Sequence, residues 1–393
     1  MDSTPLCNLH FVFVPIMAPG HLLPMVDMAK MFARRKVKVS IVTTTLNSIH
    51  FQASIDREIQ SGSPIQILHV PFPWAEAGLP EGCESADAVP SMDLLSNFTV
   101  AEKVHEGLSY DEKFLVPGMP HRIELRSFEE LEAEYVKEYE RVTGNKVWCV
   151  GPVSLCNKDY TEKALRNKRN WSDEDRYVKW LDSWPARSVI YVCLGSLNRA
   201  TPEQLIELGL GLEATKRPFI WVLGGAYGRE EMEKWLLEDG FEERVKERGI
   251  LIKGWVPQVL ILSHRAIGAF LTHCGWNSTL EGICAGVPLL TFPLFSEQFL
   301  NEKIVVQVVE NGVSLGAESV VHLGEEDKAR VQVTKENVAD SIEKVMGEGK
   351  EKQVFMERAR NYADMAKKTV EEGGSSYKNM SLLIQDIASF KMP

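Results

Sequence analysis

The 393-residue sequence predicts an α/β protein built from two Rossmann-like, doubly wound domains. Two observations support this prediction. The chain is too long for one ordinary hydrophobic core, so two domains are the default expectation. Short apolar, β-branched runs bounded by turn residues also recur along the chain, and most of them precede a helix-period segment. Strands that are apolar throughout and alternate with helices indicate parallel sheets covered on both faces.

The predicted elements fall into two groups, one in each half of the chain. GHLLPMVDMAKMFARR follows the first strand of the first half, and TPEQLIELGLGLEATK follows the first strand of the second half. The final segment predicts two helices, separated by a glycine C-cap and a serine N-cap. The strands are predicted at 10–16, 37–45, 65–72 and 146–153 in the first half, and at 188–196, 218–225, 249–256, 266–275 and 287–295 in the second.

Charge and composition suggest where the domains end. The segment 156–176 is polar and highly charged, which is typical of a solvated linker. It contains Asp173 and Asp175, but Ser172 with Asp175 favours a capping box, so no metal site is predicted. We therefore expect a first domain at 1–155, the linker, a second domain at 177–374, and a C-terminal helix at 375–393 that braces the first domain.

Composition excludes several classes of partner. The formal net charge is −11 and the sequence pI is near 5.5, which argues against binding to nucleic acid or anionic lipid. The apolar run FVFVPIMAPGHLLPM is broken by prolines and a glycine and lacks a basic flank, so it is neither a signal peptide nor a membrane span. A cytoplasmic protein without membrane insertion is expected. The seven scattered cysteines suggest neither a disulfide framework nor a zinc cluster.

The stretch THCGWNSTLEG lies between a predicted strand and a predicted helix. Gly275 allows a close turn, His273 stands at the strand tip, and Asn277 and Ser278 lie at the first helical turn. A helix N-terminus with such donors is a ready anion site. The alternative is a capping box formed by Ser278 and Glu281, which would hold the helix and nothing else.

The surrounding sequence resembles a known family signature. Forty-four residues, WVPQVLILSHRAIGAFLTHCGWNSTLEGICAGVPLLTFPLFSEQ, are similar to the sugar-nucleotide signature of plant secondary-product glycosyltransferases. Those enzymes use UDP-sugars to glycosylate small lipophilic molecules. The resemblance implies two Rossmann-like domains facing a cleft, the GT-B arrangement, and inverting, metal-independent transfer with a UDP-sugar as co-substrate and no further cofactor.

The resemblance also implies a role for each nucleotide-binding residue. In the family, the first tryptophan of the signature stacks on the uracil ring, and the amides of the Val-Pro-Gln turn read the base edge. The histidine, the Asn-Ser pair and a serine at an earlier strand tip hold the diphosphate, and the glutamate accepts the ribose hydroxyls. The matching residues here are Trp255 for the uracil ring, Val256 and Gln258 for the base edge, His273, Asn277, Ser278 and Ser196 for the diphosphate, and Glu281 for the ribose hydroxyls.

The end of the signature relates to recognition of the donor sugar. Glu297 and Gln298 resemble the family residues that hydrogen-bond sugar hydroxyls, and a terminal glutamine resembles glucose users. Trp276 fits a neutral hexose, since it offers an apolar surface and one N–H donor. UDP-glucose is therefore the expected donor, with galactose, glucuronic acid and xylose as alternatives, because single polar differences can reverse sugar choice.

In the first half, the informative piece is VPIMAPGHLLPMVDMAK. A strand ends, Gly20 allows the turn, and His21 lies where a helix begins. The positive end of that helix favours a neutral imidazole, which suits a general base. The resemblance places the family's catalytic histidine in this context, where it takes the proton of the acceptor hydroxyl. The similar pieces of sequence point to triterpenoid, steroid or flavonoid acceptors.

The chain departs from the family in its first half. Roughly a fifth of the family length is missing, and the shortfall lies within 97–135. The family's aspartate, which pairs with the catalytic histidine, has no matching position. Asp27 is a poor substitute, because six residues along a helix does not return to the same face; an acidic side chain from 83–95 is another alternative. The sequence leaves open whether these segments are truly absent.

Two rival functions follow from this departure and from the fold class. The first is a non-catalytic or impaired UDP-sugar binder without the His–Asp pair. The second is a phosphorylase-type enzyme using pyridoxal phosphate, which the Val-Pro-Gln turn and Trp255 disfavour because they suit a uridine. Under the leading interpretation the partners are a UDP-sugar and a small lipophilic acceptor, and the protein is a monomer.

Overall fold

A computed structural model describes most of the chain, which forms two compact α/β units. For 171–175 and 229 only the backbone is described. The first unit comprises the described residues within Met1–Ser85, Asn97–Arg166 and Asp364–Pro393, and the second those within Ala86–Ser96 and Asn167–Ala363. The described residues are 9–89, 94, 97–98, 127–144, 146–166, 171–196, 200–224, 229–320 and 330–389.

The second unit is built on a six-stranded parallel sheet. Its strand order is β6-β5-β4-β7-β8-β9. Every residue of β7 is buried, as are four of the five in both β4 and β5, so helices cover both faces of the central strands as predicted. The strands are β4 (Val189–Cys193), β5 (Phe219–Leu223), β6 (Gly249–Lys253), β7 (Ile267–Thr272), β8 (Leu289–Thr291) and β9 (Gly312–Ser314).

The first unit contains a parallel sheet whose described strands are β1 (His10–Phe13), β2 (Lys38–Thr43) and β3 (Ile65–His69), in that order. One face packs into the core. On the other face, Val12 and Leu68 are 44% and 42% exposed among the described residues, while Ser40 between them is buried. On the same face, Ser40 Oγ hydrogen-bonds His10 of β1 and Gln66 of β3.

Helices follow the strands largely where the periodicity predicts them. The first helix has proline at its first position, a location where the missing N–H costs nothing. The helices are α1 (Pro19–Ala33), α2 (Thr45–Ser48), α3 (Gln52–Gln60), α4 (Glu129–Thr143), α5 (Tyr160–Leu165), α6 (Trp171–Asp182), α7 (Pro202–Ala214), α8 (Arg229–Glu238), α9 (Phe241–Val245), α10 (Gln258–Leu262), α11 (Trp276–Ala285), α12 (Gln298–Lys303), α13 (Lys335–Met346), α14 (Lys350–Val370) and α15 (Ser375–Ser389), with 3₁₀ turns at Ala86–Ala88 and Val153–Cys156 and a π-helix at Ile304–Val308.

The structure differs from the predicted strands in two places. The run 146–153 is buried but irregular, because side chains of α15 take its backbone carbonyls where a strand would otherwise pair: Asn379 Nδ2 donates to Cys149 O at 3.1 Å and Ser376 Oγ to Gly151 O at 2.5 Å. The sequence pattern also does not predict β9. That strand has three residues, one of them glycine, and is defined by its pairing with β8 rather than by its own pattern.

The expected solvated linker is wrong for its first half. Asn157 and Arg166 are buried, and the division between the units falls after Arg166 rather than at 155. Arg166 Nε donates to Asp27 Oδ2 at 2.7 Å, Asn157 Nδ2 donates to Asp27 Oδ1 at 2.8 Å, and Lys30 Nζ donates to Asn157 Oδ1 at 2.7 Å. This charged segment is therefore tied to α1 by a buried polar network. Helix α6 begins at Trp171, so Ser172 lies inside it rather than at its cap.

The C-terminal helix α15 contributes to the core of the first unit. Met380, Leu383 and Ile384 are at most 3% exposed and pack with residues of α1 and the first sheet. Residues 364–374, assigned from the sequence to the second domain, also belong to the first unit. In the part of the chain that the structure describes, none of the helices combines the length and the hydrophobicity of a membrane-spanning segment.

Breaking the buried ion pair should destabilise the first unit. Asp27→Ala leaves the buried Arg166 guanidinium without its counter-charge, which should cost about 3–5 kcal/mol of unfolding free energy in urea titrations. Arg57→Ala is the control, because it breaks an exposed pair with Asp159 and should cost at most about 1 kcal/mol. Equal losses in the two variants would contradict the structural role of this network.

Candidate functional site

The strand order of the second unit fixes the position of a crevice. The chain moves outward from β4 through β5 to β6, then returns to the other side of β4 as β7. In open α/β sheets, ligands bind at the carboxyl ends of the strands where this reversal occurs. Ser196 follows β4 and His273 follows β7, so both lie at this point.

His273 is packed between two glycines. A Cβ atom added at Gly195 would lie 2.7 Å from His273 Nε2, and one added at Gly275 would lie 2.4 Å from the same atom. No side chain fits at either position while the imidazole is there. Burial lowers the pKa of His273 to about 4, partly offset by the Cys193 carbonyl and the charge of Glu297. The ring is therefore neutral at pH 7.

The turn between β7 and α11 is conformationally strained. Cys274 has a φ of 63°, in the left-handed region that non-glycine residues rarely adopt. Asn301 Nδ2 donates to the Cys274 carbonyl at 2.9 Å, and the Cys274 side chain is fully buried. Ser296, one residue before Glu297, has a φ of 56°. Backbone strain of this kind persists where the surrounding structure enforces it, and it concentrates at functional sites.

The start of α11 contradicts the capping-box alternative. Gly275 is the N-cap residue and no side chain caps this helix start, while Ser278 lies at the third helical position. The N–H groups of a first helical turn have no acceptor within the helix, and the helix dipole places partial positive charge there. This helix start, next to a neutral imidazole, can accommodate an anion without a cationic side chain.

Gln258 links two of the predicted nucleotide-binding residues. Its Nε2 donates to Ser278 Oγ at 3.1 Å and to Glu281 Oε2 at 2.8 Å. Its Oε1 accepts from the hydroxyl of Tyr191 on β4 at 3.2 Å. The Glu281 carboxylate is only 7% exposed, so it is held in one place at the rim of the crevice.

Trp255 follows β6 and is half-buried. Its Nε1 donates to Asp87 Oδ2 at 3.0 Å, and Asp87 lies in the 3₁₀ turn Ala86–Ala88. This hydrogen bond fixes one edge of the indole. The side chain of Val256 is buried, and Gln258 N donates to Val256 O at 2.9 Å, so the Val-Pro-Gln segment forms a tight turn. Only the backbone of Val256 is therefore suited to contact a base.

Of the predicted sugar residues, Glu297 is the N-cap of α12, Gln298 is the first residue of α12, and Trp276 is at the first position of α11. Glu297 is exposed, whereas Gln298 is 3% exposed. Gln298 Oε1 accepts from the backbone N–H groups of Leu294 and Phe295, at 2.9 and 3.2 Å. The amide orientation is therefore fixed, and its Nε2 is left to donate to a ligand.

His21 lies in the first unit, at the third position of α1. Ala18 is the N-cap of that helix, His21 N donates to Ala18 O at 2.8 Å, and the side chain is half-buried. Asp27 is engaged by Arg166 and Asn157. In the 83–95 segment Glu84 Oε2 accepts from Leu46 N at 3.4 Å, Asp87 contacts Trp255, and Asp93 lies outside the described residues.

The second unit thus brings the predicted nucleotide residues to one edge of one sheet. Contacts join Gln258 with Ser278 and Glu281, and place His273 against the residue before Ser196. Asn277 shares the helix start with them. Sequence reasoning missed four residues whose importance depends on contacts with residues distant in sequence rather than on a motif: Asp87, Tyr191, Gly195 and Asn301.

The low pKa of His273 has a consequence for stability. As the pH falls from about 6.5 to about 4, the unfolded chain gains a proton on this histidine that the folded protein does not bind, so stability falls. In His273→Gln this contribution is absent. The stability advantage of the wild type over His273→Gln should therefore shrink between pH 7 and pH 4.5 in urea titrations. A difference that stays constant over this range would show that the ring is not held neutral.

Similarity to known proteins identifies the family of this chain. The family model described as "UDP-glucoronosyl and UDP-glucosyl transferase" matches residues 168–364. UDP-glycosyltransferase 73C3 of Arabidopsis thaliana is 41% identical, with 98% of each chain covered, and UDP-glycosyltransferase 73C25 of Barbarea vulgaris is 42% identical, with 96% of each covered. The alignment with 73C3 spans 484 positions, more than the 393 residues of this chain, so it contains gaps here.

Similarity to solved structures indicates the same family. UGT73P12 of Glycyrrhiza uralensis, complexed with glycyrrhetinic acid 3-O-monoglucuronide, superposes with a TM-score of 0.82 at 32% identity, covering 97% of this chain and 96% of its own. UGT89C1 of Arabidopsis thaliana, complexed with UDP, gives a TM-score of 0.72 at 25% identity, covering 97% and 100%. The chain therefore belongs to the UDP-glycosyltransferase family and is a UDP-dependent glycosyltransferase.

Proposed function

We propose that the protein transfers glucose from UDP-glucose to a hydroxyl group of a lipophilic small molecule, with inversion at the anomeric carbon and without a metal ion. The observation that carries the proposal is the neutral His273, held between Gly195 and Gly275 beside the start of α11. In this proposal the diphosphate lies at that helix start. The uracil stacks on Trp255 and the ribose hydroxyls are bound by Glu281.

The diphosphate charge is balanced by dipoles rather than by cations. A helix N-terminus carries roughly half a positive charge, and the first-turn N–H groups with Asn277, Ser278 and Ser196 supply neutral donors. As the bond from the sugar to UDP breaks, negative charge grows on the leaving phosphate. Donors already fixed at that position stabilise the charge without reorganising.

The choice of donor rests on the sugar end of the site. Gln298 is held so that its Nε2 donates, which suits a sugar hydroxyl, and Glu297 is exposed and can accept from one. We infer glucose from this pair and the family resemblance. UGT89C1, at 26% identity, is also solved with UDP-L-rhamnose, so related proteins bind other sugars, and galactose, glucuronic acid and xylose stay as alternatives.

The acceptor is proposed from the relatives. The Glycyrrhiza enzyme is solved with glycyrrhetinic acid 3-O-monoglucuronide, a glycosylated triterpene acid. We therefore propose a triterpenoid acceptor, with flavonoids as the second class to test. A cytoplasmic monomer remains the expected form of the enzyme.

His21 is the proposed general base. It lies at the third position of α1, and a neutral imidazole there can accept the proton of the acceptor hydroxyl. The deprotonating oxygen attacks C1 of the sugar as the bond from C1 to the UDP oxygen breaks on the opposite face. The products are the inverted glycoside and UDP, and the proton stays on the imidazole until it passes to solvent.

A second candidate is a UDP-sugar binder with little or no transferase activity. The gaps in the alignment with the relatives, together with the shortfall in the first half of the sequence, favour it. UDP release from UDP-glucose, measured with and without a triterpenoid or flavonoid, separates the two. Acceptor-dependent UDP release supports the transferase, and binding without release supports the binder.

His21→Ala should remove transfer without removing donor binding. Loss of the base should lower kcat by at least about a hundredfold. The Kd for UDP should stay within about twofold of the wild type, because the nucleotide residues lie in the second unit. Calorimetry for UDP and a coupled assay for its release measure the two quantities. A parallel loss of both would contradict the assignment of His21 as the base.

Gly195→Ala should weaken UDP binding. The added Cβ would collide with the His273 ring and displace a phosphate donor, which should raise the Kd by about 10- to 100-fold. Gly316→Ala is the matched control: it also has positive φ, 96° against 80°, but its Cβ would have no atom within 4 Å. If both variants bind UDP equally well, the packing of His273 does not support the nucleotide.

A further inference from the structure

Tyr191 is fully buried in the middle of β4, and its hydroxyl reaches the carboxyl-terminal edge of the sheet. The ring is stacked on Phe270 of β7, with centroids 5.1 Å apart and an angle of 24° between the ring planes. The hydroxyl donates to Gln258 Oε1 at 3.2 Å, and it also interacts with the side chain of Cys193. Burial raises the pKa of Tyr191 well above its usual range, so the hydroxyl remains protonated and able to donate.

The direction of each hydrogen bond determines how the Gln258 amide is oriented. An ionised carboxylate can only accept, so the bond at 2.8 Å to Glu281 requires the NH₂ group of Gln258 to face it. The carbonyl oxygen of the amide must then face Tyr191, where the hydroxyl donates to it. If the amide flipped, its oxygen would face the Glu281 carboxylate, two acceptors in contact. The Tyr191 hydroxyl favours the productive orientation and disfavours the flipped one.

We propose that Tyr191 is a positioning residue for nucleotide recognition: through Gln258 it fixes the Glu281 carboxylate in the position where it accepts the ribose hydroxyls. Tyr191 does not touch the nucleotide in this arrangement. The inference rests on the proposed ribose-binding role of Glu281. It adds that the ability to recognise the ribose hydroxyls depends on a hydroxyl group buried in the sheet.

The test compares UDP with 2′-deoxy-UDP. A carboxylate fixed for a vicinal diol should bind UDP more tightly, because the deoxy analogue leaves a buried acceptor unpaired. In Tyr191→Phe the ring still packs on Phe270, but the amide and carboxylate lose their fixed orientation. Calorimetry should show the ratio of the two Kd values falling by about 3- to 10-fold, with the Kd for 2′-deoxy-UDP little changed. The KM for the UDP-sugar should rise and kcat should stay close to the wild-type value.

Two further variants sharpen the result. If Tyr191 acts only through Gln258, then adding Tyr191→Phe to a Gln258→Ala protein should change the ratio no further. Cys193→Ala removes the other side chain near the hydroxyl and should leave the ratio as in the wild type.

The outcomes separate this inference from the proposed function. A Tyr191→Phe protein with an unchanged ratio, or with equal weakening for both nucleotides, overturns the positioning role, since equal weakening indicates a general loss of structure. Melting temperatures of the variants identify such a loss directly. A wild-type protein that binds neither nucleotide would instead overturn the proposed function itself.

Discussion

The packing of one neutral imidazole between two glycine backbones is the constraint on which the nucleotide site depends. His273 follows β7, Gly195 follows β4, and Gly275 is the N-cap residue of α11. These elements meet because β4 and β7 are neighbours in a parallel sheet at the reversal of strand order. The ring fits only if both glycines lack a side chain. Burial lowers the pKa of the ring and keeps it uncharged, so it can serve as a hydrogen-bonding group rather than as a counter-ion.

Polar contacts extend this constraint along the edge of the sheet. Asn301 holds the strained Cys274, and Gln258 holds Glu281 and Ser278. Each of these polar groups is fixed by a hydrogen bond from another side chain. Preorganisation of this kind lowers the entropic cost of ligand binding and avoids reorganisation as charge develops on the leaving group.

Much of the second unit could be predicted from sequence. Its five apolar runs are strands, and the glycine, histidine, Asn-Ser stretch was correctly placed at a strand–helix junction, because local pattern and turn chemistry determine both features. Contacts between residues far apart in sequence could not be predicted. Tyr191 and Gln258 are 67 positions apart and meet only when the strand order is known.

The first unit shows the limits of local patterns more clearly. A run as apolar as 146–153 predicts a strand, but its backbone carbonyls are taken by side chains of α15, more than two hundred residues later. The charged segment shows the opposite error, since residues expected to be solvent-exposed are buried. The polar segment after Cys156 was predicted to be solvated, yet Arg166 and Asn157 are buried because α1 supplies Asp27 and Lys30 as partners. A charged residue can be buried when it is paired, and its partner is not visible in the surrounding sequence.

The central claim is that a diphosphate is held by neutral donors at the start of α11 without a metal ion. Calorimetric titration of UDP, UMP and uridine, each in the presence and absence of EDTA, tests it most directly. We expect affinity to fall by at least about tenfold from UDP to UMP and again from UMP to uridine, since each phosphate removed loses charge-assisted hydrogen bonds, and we expect EDTA to change none of the three values. Equal affinities for UDP and UMP, or loss of UDP binding in EDTA, would contradict the account.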